Sequence, residues 1–92
     1  MTFRRSLEMS LSREEFFRLL RAAIHDFETD GEMVRWADGD RAGTIHLVPL
    51  PDRRVGSVVV RRCKVEVALE APEAEGEEFM QRFHRAFLRG GG

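Results

Sequence analysis

The sequence predicts an α+β domain in which an N-terminal and a C-terminal helix pack on one face of an antiparallel sheet of three to four strands. Three observations carry that expectation. Residues 53–70 are rich in valine and alternate with period two. An amphipathic stripe with a capping signature lies before them, and a second amphipathic stripe follows. A period of two sorts side chains to the faces of a pleated sheet, whereas spacings of three and four sort them to one side of a helix.

Residues 1–10 read as a flexible lead, with an alternative as a short edge strand because Phe3, Leu7 and Met9 alternate. Ser12 opens the first helix. With Glu15 three residues on it makes the reciprocal capping pair, and Glu14 and Glu15 suit the positive end of the helix dipole. Phe16, Leu19, Leu20, Ala23, Ile24 and Phe27 form one stripe, with Arg18, Arg21 and Asp26 on the other side. Thr29, Asp30 and Gly31 are expected to end it.

Residues 32–37 form a short strand in which Val34 and Trp36 share a face. Asp38-Gly39 signals a hairpin, because glycine accepts the positive φ of a tight turn. The return strand, about 41–48, sets Ile45 and Leu47 together, opposite Thr44, His46 and Val48. Pro49-Leu50-Pro51-Asp52 is expected to break it, since neither proline donates to a ladder. The valine-rich stretch follows. Its odd positions from 55 are Val55, Ser57, Val59, Arg61, Cys63, Val65, Val67 and Leu69, nearly all apolar, and its even face is mixed. It is long for one strand. Either it bends near Arg61-Arg62 through a bulge, or it is two strands that turn there. Residues 71–78, with Pro72, Gly76 and several glutamates, read as a linker entering the second helix. Phe79, Met80, Phe83, Ala86 and Phe87 give that helix its apolar stripe, and 90–92, all glycine, form a frayed tail.

Composition narrows the function classes. The chain has 92 residues, room for one domain with a compact core, and a net charge of −1. So balanced a molecule exerts no general pull on nucleic acid or an acidic membrane. One cysteine forms no internal disulfide, which fits a reducing cytoplasm. No apolar run approaches the roughly 18 residues of a membrane span, and the first residues do not read as a signal peptide.

No motif points to catalysis, a metal or a cofactor. His25, His46, Cys63 and His84 lack the close pairing of metal ligands. Cys63 shares the apolar phase of Val65 and Val67 and is expected to pack as a small hydrophobe. A cysteine-dependent enzyme, with the thiol meeting a histidine in space, is the third reading. The glutamates at 66–78 read as a solvated linker and first helical turn rather than a calcium loop. Gly39 to Gly43 sits in a hairpin, with no helix behind it to receive a phosphate.

Two features remain as candidate contact surfaces. Arg53, Arg54, Arg61, Arg62 and Lys64 make one strand region basic inside a near-neutral chain. If both helices cover the odd face, Val58, Val60 and Ala68 lie on the bare side, joined by Trp36 if register allows. The expected function is therefore a non-enzymatic cytoplasmic accessory or adaptor domain, acting by self-association or by docking on a protein. A nucleic-acid module built on the basic cluster is the alternative, although the aromatic platform of single-strand binders is missing.

Overall fold

A computed structural model describes the backbone of residues 1–38 and 41–91 and the side chains of 1–37 and 41–87. The elements are β1 (Thr2–Met9), α1 (Arg13–Ala23), β2 (Glu28–Asp30), β3 (Met33–Asp38), β4 (Arg41–Val55), β5 (Val58–Glu70) and α2 (Glu73–Gly91). All five strands form one antiparallel sheet in the order β1-β5-β4-β3-β2. The α+β class holds, with five strands among the described residues rather than three or four.

The register shows why one face is covered. Partners across the sheet share a face, so Phe3, Leu69, Gly43 and Trp36 form one row and Leu7, Val65 and Leu47 another. Val67, Ile45 and Val34 lie between them, and these apolar strand residues are buried, apart from the half-buried Leu7. Above them lie Phe16, Leu19, Leu20 and Ile24 from α1 and its cap, and Phe79, Met80, Phe83 and Phe87 from α2. Phe16 meets Phe87 at 5.4 Å between ring centroids, and Phe79 stacks on Trp36 at 5.2 Å. Burying a side chain of this size is worth about 1.5–3 kcal/mol, so this aromatic layer ties both helices to the sheet.

Several local expectations are corrected. Residues 2–9 are an edge strand along the whole inner half of β5, not a loose lead, because Phe3 reaches the core. The capping box of Ser12 and Glu15 is present, but α1 ends at Ala23. Ile24 turns extended while still donating to the Leu20 carbonyl, which frees residues 28–30 to pair as β2. Gly31, at φ 62°, then makes the β2–β3 turn rather than ending a helix. The helix α2 begins at Glu73, earlier than expected, with the Pro72 carbonyl accepting from Glu75 and Gly76. It runs through Gly91, so the expected frayed tail is helical there, and residue 92 lies outside the described residues. The Asp38-Gly39 turn also falls outside them in part, although Asp38 and Arg41 are paired on either side of it.

The largest departure concerns the valine-rich stretch. The turn is at Gly56-Ser57, where Gly56 has φ 63°, and not at Arg61-Arg62. The prolines do not break β4. The ladder passes them with a bulge, in which Pro51 and Asp52 stand opposite Arg61 alone. The arginine that interrupts the apolar phase thus marks the bulge from the partner strand.

Candidate functional site

The β4–β5 pair outgrows its neighbours. On one side, β1 stops at Met9 opposite Cys63. On the other, β3 starts at Met33 opposite His46, and the last bond from that side runs from the Leu47 amide to the Glu32 carbonyl at 2.9 Å. Beyond these points β4 and β5 pair only with each other, as a two-stranded arm over residues 49–62. Neither helix covers it: Val55 and Val58 are each 59% exposed and Val59 50%. The arm contributes to a long axis of 47 Å in a chain only 26 and 21 Å across.

Cross-strand partners sort the arm into two faces. Leu50, Arg53, Val55, Val58, Val60 and Arg62 lie on the face continuous with the bare side of the sheet. Pro49, Arg54, Val59 and Arg61 lie on the other. The expected basic cluster is therefore divided: Arg53 and Arg62, with Lys64, on one face, and Arg54 with Arg61 on the other. Part of it is also neutralised. Arg62 pairs with Glu8, and Lys64 approaches Glu66 at 3.6 Å. Arg41, at the far end of the sheet, pairs with Glu75 at 2.5 Å. Among the described residues no carboxylate lies within ion-pair distance of Arg53, Arg54 or Arg61.

Val58 and Val60 lie on the bare side as expected, Val60 half-buried. Trp36 does not join them. It is 8% exposed on the helix side, in the phase of Val34, and its indole lies over Gly43 and against Phe79. A Cβ at residue 43 would run into that ring, so the glycine is what lets the indole enter the core. Val55 and Leu50 belong to the arm surface but escape a parity reading of the sequence, because the turn at Gly56 places Val55 beside Val58. The Gly-Ser pair between valines was the available signal.

The rest of the bare face is mixed, with half-buried Met33, Val48 and Ala68 set among polar and charged side chains. Ser6, Glu66 and His46 stand in one row across three strands. The carboxylate is in the middle, and no side-chain hydrogen bond joins the three among the described residues. A row in that order gives the serine no imidazole to take its proton. Cys63 is 3% exposed, and burial pushes its thiol above the ordinary range, away from the reactive thiolate. No group of three or more metal-ligating side chains converges among the described residues. No helix there is long and apolar enough to cross a membrane.

No protein-family model matches the chain, and no curated protein matches it. Among solved structures it is similar to DR_A0006 from Deinococcus radiodurans, at 13% identity over 97% of this chain and 93% of that one. The TM-score is 0.35, and a likeness that low carries no argument about fold or function.

Proposed function

We propose that this chain is a non-enzymatic accessory or adaptor module of the cytoplasm, and that its contact element is the β4–β5 arm. One observation carries the reading. Three valines stand in water on a ribbon that no helix covers, while every other large apolar side chain described, except Met1, is at least half-buried. A two-stranded ribbon is marginal in water by itself, and exposed β-branched residues on it gain by being covered. Protein–protein contact, with a partner or with a second copy, is the outcome that this surface serves. The divided arginine cluster supports a nucleic-acid surface less well, because its charges do not converge on one face.

Photo-crosslinking in the source cell tests the proposal. A benzophenone side chain at position 58 is expected to yield discrete protein adducts. The same group at Glu14, on the outer side of α1, is expected to yield none. Equal labelling from both positions, or no adduct from position 58, would overturn the reading.

A further inference from the structure

The two edges of the arm are not equivalent. The Leu47 amide points away from β5, to the Glu32 carbonyl. By the alternation of an antiparallel ladder, position 49 faces the same way, onto the free edge of β4 beyond the end of β3, and position 51 sits in the bulge beside it. Both are prolines, which have no N–H to offer, so that edge is blunted. The same alternation, starting from Val65 opposite Leu47, turns the backbone groups of Val59 and Arg61 outward on β5, on the side where β1 has ended. The hairpin end agrees. Val55 and Val58 close a two-residue turn and bond to each other, which leaves Val59 facing out. This edge reads Val58, Val59, Val60, Arg61 and Arg62, with neither proline nor bulge on its own strand. One edge is closed to strand addition, and the other is open.

Charge selects what fits there. The arm carries four arginines against one aspartate, and Arg53, Arg54 and Arg61 have no carboxylate partner among the described residues. Two copies joined edge to edge would bring two basic arms together, whereas an acidic strand would place opposite charges across from the arginines. Nucleic acid would meet the charge but would make no use of an open backbone edge flanked by valines. We propose that the β5 edge over residues 58–62 accepts an extended segment of a partner protein with alternating acidic and β-branched residues, added as a strand in line with β1. This inference rests on the arm being the contact element.

The test is fluorescence anisotropy of the full chain with a labelled peptide alternating glutamate and valine. A lysine–valine peptide and a 16-base-pair duplex DNA serve as further probes. The acidic peptide is expected to bind, to weaken as salt rises, and to lose about tenfold in affinity with Val59→Pro, which removes an outward N–H. Arg61→Glu, an exposed substitution that leaves the ladder intact, is expected to cost at least as much. Sedimentation equilibrium reports on the second copy. Equal binding of both peptides, or full binding by both variants, overturns the acidic strand. No peptide binding alongside a concentration-dependent dimer overturns the acidic strand but leaves the arm as a protein contact. Duplex binding without peptide binding overturns both. Absence of any binding overturns the acidic strand, and crosslinking at position 58 then decides the arm separately.

Discussion

Cys63 shows how far one residue's chemistry follows from its place in the sheet. It occupies the inward phase of β5 under the helices, and burial disfavours its charged form. The native thiol is therefore expected to react with an aromatic disulfide reagent at least about a hundredfold more slowly than in the denatured chain. Because its folded pKa is raised, the unfolded chain loses the proton first. Its share of stability is complete below the ordinary thiol range and declines as pH rises through that range and beyond. Urea melts of the wild type and Cys63→Ala are expected to converge with increasing alkalinity, and a constant difference would contradict that. The phase of Cys63 was legible from Val65 and Val67. The position of Trp36 was not, because its depth depends on a glycine in another strand.

At the scale of elements, Gly76 binds α2 to the edge of the sheet. A glycine inside a helix ordinarily costs about 1 kcal/mol relative to alanine. Here a Cβ would collide with the Phe3 ring, which lies directly against the α2 backbone. Gly76→Ala is therefore expected to destabilise by about 1–3 kcal/mol despite the better propensity, read as a lower urea midpoint with unchanged m-value. A stabilised variant would show that β1 does not pack under α2. Both helices were legible from their stripes, and α1 from Ser12 and Glu15 as well. Their ends were not. Phe27 continues the helical spacing, yet pairing of β2 with β3 draws the chain extended from Ile24. Pro49 and Pro51 read as breakers because neither offers an N–H to a ladder. On a strand with one free edge they are tolerated, and there they serve to close it. Gly56 was hidden by valines on both sides, because the odd-position series from Val55 to Val59 looks unbroken in the sequence although the turn sends those two side chains to opposite faces.

Over the whole molecule, a compact two-layer body carries a bare ribbon at one end, and the proposed function depends on that division. The body was legible because its burial follows strict periodicities. The arm was not, because strand lengths relative to neighbours are set by register, which no local pattern records. The most direct measurement is residue-resolved amide hydrogen exchange on the isolated chain. On β5, the amides of Val59, Arg61 and Val65 all face the same edge, but only Val65 has β1 beside it, paired with Leu7. Val59 and Arg61 are expected to exchange at least about a hundredfold faster than Val65. Protection of Val59 and Arg61 equal to that of Val65 would contradict the account, since the edge would already be occupied.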